Sequence, residues 1–300
     1  MKIIEKISEM QAISLNLKKY NKTVAIVPTM GFLHSGHLSL IEYAKQKADV
    51  VVTTLFVNPK QFAPHEDFDK YPRNIENDSK LAQESGSDFL FHPGILEMYP
   101  KGYSTSVKVE SISQPFEGDF RPHFFEGVAT VVAKLFNAVL PDIAVFGQKD
   151  YQQYLVIYRM IRDMNFPINL FLAPTLREAD GLAMSSRNVY LNREERDSAA
   201  IIFVALENAK TAIAMGARER KIINAMMHKT LRENPSIRID YAASAVADTL
   251  DTPDEFLPGD KVVLLIAVYI GKTRLIDNSL TQIPTVLDKD PAAFLEDSTI

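Results

Sequence analysis

Residues 50–58, Val-Val-Val-Thr-Thr-Leu-Phe-Val-Asn, form an almost unbroken apolar run rich in β-branched side chains. A run like this suits a strand covered on both faces, as in a parallel sheet. Parallel strands need crossover segments, and helical patterns flank the run. Residues 3–20 place Ile3, Ile4, Ile7, Met10, Ile13 and Leu17 near helical spacing, and residues 37–48 read as a second helix. Between them, 23–29 (TVAIVPT) reads as a buried strand. The alternation continues with helix 74–85, strand 88–93, helix 128–139, strand 142–147, helix 151–164 and strand 168–172. The expected fold class is therefore α/β: a Rossmann-like parallel sheet with right-handed crossovers. Residues 93–126, rich in Gly, Pro and aromatics, interrupt the rhythm and are expected as loops or small strands over one edge.

Beyond about residue 180 the pattern changes. Residues 193–233 carry two helical patterns separated near Gly216, and 241–246, 261–270 and 273–278 are strand candidates. This predicts a first domain over 1–180 and a smaller α+β domain over 181–300, with the last 20 or so residues as a loose tail. A chain of 300 residues agrees with two domains at about 150 residues each. There is no cysteine, so disulfides, thiolate zinc sites, iron–sulfur clusters and thiol nucleophiles are excluded. The formal charge of −5 argues against a nucleic-acid partner. No apolar run approaches the roughly 18 residues of a membrane span. Residues 1–22 mix acids into an amphipathic pattern without a signal peptide's apolar core. The expected location is the cytoplasm.

Chemistry-bearing residues gather where strands pass into helices. In open α/β sheets ligands bind there, against helix N-termini that favour anions. The first junction reads Pro28-Thr29-Met30-Gly31-Phe32-Leu33-His34-Ser35-Gly36-His37. Its Gly31-x4-Gly36 spacing resembles the start of a Walker A loop, but His37-Leu38 stands where Lys-Ser/Thr is required. A GxGxxG fingerprint is also missing. Two imidazoles three residues apart at a helix entrance can both face a phosphate. Surface histidines in a polar turn, or part of a metal site, are the alternatives. The second junction holds Gly147-Gln148-Lys149-Asp150, where a bound anion would offset a lysine at a helix start, and where Asp150 could simply cap. A third cluster, Met184-Ser185-Ser186-Arg187, offers hydroxyls and a guanidinium suited to a phosphate clamp, or a polar linker. Asn58 and Gln61, after the apolar run, suit a hydroxy acid or a turn. Asp78 is a candidate magnesium ligand or an exposed helix charge.

Together, PTMGFLHSGH, FVNPKQF, EGDFRPHFFEGVATVVAKLF, FGQKDYQQ and PTLREADGLAMSSRN resemble the pantothenate synthetase (pantoate–β-alanine ligase) family of HxGH nucleotidyltransferases. They occur in family order over residues 24–192. The resemblance implies ATP-dependent joining of pantoate and β-alanine through a pantoyl adenylate, with release of pyrophosphate and AMP. It implies an ATP site of Met30, Gly31, Phe32, Leu33, His34, Ser35, Gly36 and His37, with Gly147, Gln148, Lys149, Asp150, Leu176, Met184, Ser185, Ser186 and Arg187. His37, His34, Lys149 and Arg187 would serve catalysis. Gln61 and Gln153 would hold pantoate, Gln61 would also lie near β-alanine, and Mg2+ would accompany ATP, with Asp78 as its ligand. The partners implied are ATP, pantoate and β-alanine, in a cytosolic homodimer whose smaller domain acts as a lid. An adenylyltransferase acting on a phosphate acceptor would share the histidines, and a nucleotide-sensing protein would bind without turnover. One departure stands out. The family often reads Arg-Pro-Gly-His-Phe, whereas this chain has Arg121-Pro122-His123-Phe124-Phe125.

Overall fold

The computed structural model describes residues 1–64, 66 and 68–285. In chain order, the first part contains β1 (Lys2–Ile4), α1 (Ile7–Lys19), β2 (Val24–Thr29), α2 (Ser35–Lys45), β3 (Val50–Leu55), α3 (Ile75–Glu84) and β4 (Phe89–Phe91). Two four-residue helices follow, α4 (Ile95–Met98) and α5 (Glu117–Phe120), and then α6 (Phe124–Val139), β5 (Ile143–Gly147), α7 (Tyr151–Asp163) and β6 (Asn169–Ala173). The strands make one six-stranded sheet in the order β1-β4-β3-β2-β5-β6, and every pairing is parallel. Val24, Ala25, Ile26 and Val27 of β2, with Val51 and Val52 of β3, are fully buried. Each large aliphatic side chain removed from water contributes about 1.5–3 kcal/mol, which is why these runs take the sheet centre.

The chain winds outward from β2 through β3 to β4, then resumes on the other side of β2 with β5 and β6. The switch point lies between β2 and β5. Helix α6 docks onto the turn after β3 through Gly127, where an added Cβ would collide with the Lys60 carbonyl. That contact brings the Asn58–Gln61 turn against α6.

Several elements differ from the sequence expectation. Ile3 and Ile4 belong to edge strand β1, paired with Leu90 and Phe91, rather than to the first helix. Two β-branched residues beside an open sheet edge gain a ladder that helical spacing does not reveal. The 93–126 region contains two short helices and no strand. Helix α2 begins at Ser35, and β3 ends at Leu55, short of Asn58.

The chain divides into two compact units, Met1–Asn192 and the part from Arg193 on. The division falls at 192, where the sequence had suggested 180. The intervening residues are bonded into the first unit: Met184 N–H donates to Leu176 O at 3.0 Å, and Tyr190 reaches Lys70 O at 3.4 Å. The second unit holds α8 (Arg193–Ala199), α9 (Ile201–Ala214), α10 (Arg220–Leu231) and the strands β7 (Ile237–Val246), β8 (Lys261–Ile270) and β9 (Thr273–Gln282). These strands form an antiparallel sheet in the order β7-β8-β9, with α10 on β7 and α9 on β8 and β9. Three helices stand where two were expected. The expected tail falls mainly on residues 286–300, outside the described residues.

Candidate active site

The loop between β2 and α2 is held from three sides. Thr29 Oγ1 donates to Thr54 O at 2.6 Å and accepts from Gly31 N–H at 3.2 Å. Gly31 and Phe32 both have positive φ, 91° and 53°. Glycine tolerates this without cost, whereas Phe32 must be held there. The holding group is Asp78, whose two carboxylate oxygens accept Phe32 N–H at 2.8 Å and Leu33 N–H at 2.7 Å. Asp78 is 2% exposed. This corrects the alternative of an exposed helix charge: both oxygens brace the loop.

His34 caps α2. Its Nδ1 accepts Gly36 N–H at 3.2 Å, and His37 Nδ1 faces His34 N–H at 3.4 Å. With each Nδ1 accepting, the proton on each neutral ring sits on Nε2, which leaves each ring one donor. The ring centroids are 4.0 Å apart. Burial first, then the charge of Lys149, pushes the His34 pKa down to about 4. Burial, then His34, then Lys149 hold His37 well below its usual value. Both imidazoles are therefore neutral near pH 7, and Lys149 lies close enough to act on both. A Cβ at Gly36 would meet the His34 ring at 2.9 Å and Met184 Cβ at 3.4 Å. The β2–α2 loop and the 184–187 segment thus share one place.

Gly147 ends β5, and Gln148, Lys149 and Asp150 form a 3-10 turn ahead of α7. Asp150 makes no side-chain cap to α7, so the alternative of simple capping does not hold. Lys149 Nζ stands 3.7 Å from Asp150 Oδ1. Leu176 is 40% exposed, and its carbonyl accepts Met184 N–H. Ser185 Oγ accepts Arg187 N–H at 3.2 Å. Ser186 is buried, with its hydroxyl 3.4 Å from Tyr71. Thr175 Oγ1, just past β6, is buried without a hydrogen-bond partner.

On the α6 side, Asn58 is 1% exposed and its amide is fully engaged. Its oxygen accepts from Tyr99 at 2.8 Å, and its nitrogen donates to Gly127 O at 3.1 Å and Gln61 Oε1 at 3.0 Å. Asn58 is corrected from a substrate contact to a residue that orients Gln61. With Gln61 Oε1 taken, its Nε2 turns to Met30 Sδ at 3.2 Å and is left as a donor. The adjacent glutamines of α7 separate cleanly. Gln152 is buried and pins Glu117 N, Ile112 O and Pro115 O. Gln153 is half-buried, and its side chain makes no hydrogen bond among the described residues. Sequence reasoning missed Tyr99, Gln152 and the Glu66–Arg121 pair, because their roles depend on partners 35 to 55 positions away.

Fold and site together define an α/β protein with a parallel sheet that gathers two neutral imidazoles and a lysine at its switch point. Comparison with known proteins narrows this class. The family model described as pantoate-beta-alanine ligase matches residues 2–280. A pantothenate synthetase of Moorella thermoacetica is 48% identical over 283 residues, covering 94% of this chain and 99% of that protein. The crystal structure of pantothenate synthetase from Thermus thermophilus matches with a TM-score of 0.87 at 42% identity, covering 95% of this chain and 100% of that one. A pantoate-beta-alanine ligase from Francisella tularensis, complexed with beta-gamma ATP and beta-alanine, matches at TM-score 0.77 and 31% identity, covering 93% and 97%. The chain belongs to the pantoate–β-alanine ligase family.

Proposed function

We propose that this enzyme condenses pantoate with β-alanine at the expense of ATP, giving pantothenate, AMP and pyrophosphate. Pantoate's carboxylate attacks the α-phosphorus of ATP and expels pyrophosphate. The amine of β-alanine then attacks the acyl carbonyl of pantoyl adenylate and expels AMP. The observation that carries this reading is the pair of neutral imidazoles at the start of α2, each with Nδ1 facing a backbone N–H and both under the charge of Lys149. An anionic carboxylate must approach a polyanion, and preorganised donors stabilise the charge that builds on the phosphates. No protein nucleophile is required.

In this assignment His37 and His34 donate to the phosphates, Lys149 neutralises them, and Ser185, Ser186 and Arg187 close around them. Leu176 meets the nucleoside through its N–H. Gln61, oriented by Asn58, and Gln153 hold pantoate's hydroxyl and carboxylate groups. Magnesium, when bound, supplies charge neutralisation on the nucleotide. It would be carried on the phosphates, with the Asp78 carboxylate beside the β2–α2 loop as its protein ligand. The assignment extends to a cytosolic homodimer whose second unit acts as a lid, which sedimentation with and without substrates checks.

The test is product release. ATP, magnesium and pantoate should yield pyrophosphate, and AMP plus pantothenate should appear only once β-alanine is added. Pyrophosphate release independent of pantoate would overturn the assignment.

A further inference from the structure

In the assignment above, ATP meets one hairpin at two places. Leu176 lies on the first arm, and Ser185, Ser186 and Arg187 follow the second. Backbone bonds build the hairpin itself. Met184 N–H donates to Leu176 O at 3.0 Å, Glu178 N–H donates to Leu182 O at 2.8 Å, and Arg177 pairs with Ala183. Gly181, at φ 92°, and the Asp180 carboxylate, which accepts Leu182 N–H at 3.2 Å, shape the tip. The last of these bonds is made at Met184, one residue before the clamp.

Past that point Asn188 ties the chain back to the hairpin. Its backbone N–H donates to Ser185 O at 3.0 Å and closes the 185–188 turn. Its side-chain nitrogen donates to Ala183 O at 3.1 Å on the second arm and to Glu178 Oε1 at 2.9 Å, where the first arm enters the tip. Both side-chain N–H groups are thereby spent. Asn188 Oδ1 is buried and has no hydrogen-bond partner. Rotating the amide by half a turn would set that oxygen against a carbonyl and a carboxylate, so the two acceptors fix the amide's orientation. The other face of the turn meets Tyr71, whose hydroxyl is 3.4 Å from Ser186 Oγ.

We infer that Asn188 is a positioning residue, which fixes the spacing between the nucleoside contact at Leu176 and the phosphate clamp at 185–187. The inference rests on the nucleotide assignment above. Both side-chain N–H groups of Asn188 are spent on the hairpin that carries Leu176, and its backbone holds the turn that carries the clamp. Two parts of one ligand gain affinity when their subsites stand at the ligand's own spacing, because binding of the first part makes binding of the second intramolecular. A loosened turn forfeits that gain, while each subsite keeps its own donors. Glu178 also acts on His34 through its charge. Burial and then Lys149 lower the His34 pKa, whereas Asp150 and Glu178 oppose them. Removing Glu178 lowers that pKa further, so His34 stays neutral near pH 7 and the two effects of Glu178 separate.

Asn188→Leu keeps the side chain's volume and removes both N–H groups, and Glu178→Ala removes one of their two acceptors. Both variants, the double variant and the unaltered enzyme should be compared at pH 7 in KM for ATP and in inhibition by adenosine and by pyrophosphate. Asn188→Leu should raise the KM for ATP about 10-fold to 100-fold, the scale of two lost side-chain bonds, one of them to a charged group. The inhibition constants for adenosine and for pyrophosphate should each move less than about threefold, because neither part alone senses the spacing. Glu178→Ala should raise the KM for ATP about tenfold. The double variant should match Asn188→Leu, since both changes act through one bond. If adenosine or pyrophosphate loses as much affinity as ATP, Asn188 contacts the ligand or maintains a subsite, and the inference fails. It fails equally if the KM for ATP is unchanged or if the two single effects multiply. Should Asn188→Leu not fold, Glu178→Ala carries the same comparison with Asn188 in place. Arg187→Gln checks the underlying reading: it should weaken pyrophosphate about tenfold and leave adenosine unaltered. Unchanged pyrophosphate inhibition in that variant would overturn the nucleotide assignment instead.

Discussion

Replacing Asp78 with Asn tests how the first loop is held. The aspartate accepts Phe32 N–H and Leu33 N–H at 2.8 and 2.7 Å while 2% exposed. An asparagine of the same shape has one acceptor and one donor, so one N–H must face an NH2 group. The loss is one hydrogen bond to a charged group, about 1.5–3 kcal/mol, plus an unpaired buried donor, about 1–3 kcal/mol. Partial relaxation brings the expected local cost to about 2–4 kcal/mol. At 1.4 kcal/mol per decade, this is about 30-fold to 1,000-fold faster amide exchange at Phe32 and Leu33. Hydrogen exchange followed residue by residue is the assay. The KM for ATP should rise in parallel, because the same backbone leads into His34. If both amides keep their protection and the only change is a higher magnesium requirement, Asp78 serves only the metal and the bracing argument is refuted.

Other outcomes follow from the same geometry. His37→Ala should slow pantoate-dependent pyrophosphate exchange by about 100-fold to 1,000-fold, the scale of one lost preorganised donor; unchanged exchange would remove His37 from the site. The folded pKa of His34 is depressed to about 4 against an ordinary 6.5. The unfolded chain therefore binds a proton between these values that the folded chain refuses. The contribution to stability is complete above pH 6.5 and is lost as pH falls toward 4. Urea midpoints for the unaltered protein and a His34→Asn, His37→Asn variant should diverge over that window, and parallel curves would contradict the burial argument. Gln153→Ala should raise the pantoate KM with little change in thermal midpoint. Gln152→Ala should do the reverse, losing about 1–3 kcal/mol through unsatisfied groups around 112–117. Matching effects from the two would negate the division of roles along α7.

Much of this site was legible in the linear pattern. Apolar β-branched runs over 23–29 and 50–58 forecast a parallel sheet, because only two-sided burial justifies them. The strand-to-helix junctions then located 30–37 and 147–150 at the sheet's carboxyl edge, and β2 and β5 are adjacent there. Lone motifs such as His34-x-x-His37 were ambiguous. Their order along the chain carried the family assignment, with which the comparisons agree.

The remainder is set by contacts between distant positions, which no local pattern encodes. Spacing allowed Asp78 to be an exposed charge, but packing of α3 against the β2–α2 loop turned it into a buried brace. Asn58 looked like a substrate contact until Tyr99 and Gly127 engaged both ends of its amide. Gln152 and Gln153 are identical in sequence terms, and only the path of 112–117 tells them apart. Glu66 and Arg121 become a pair through a turn and a helix entrance 55 residues apart. Periodicity determined which segments are strands and helices, since it records which faces leave water. Tertiary structure decided which polar groups remain available for chemistry, since a buried donor or acceptor must find its partner wherever the fold brings one.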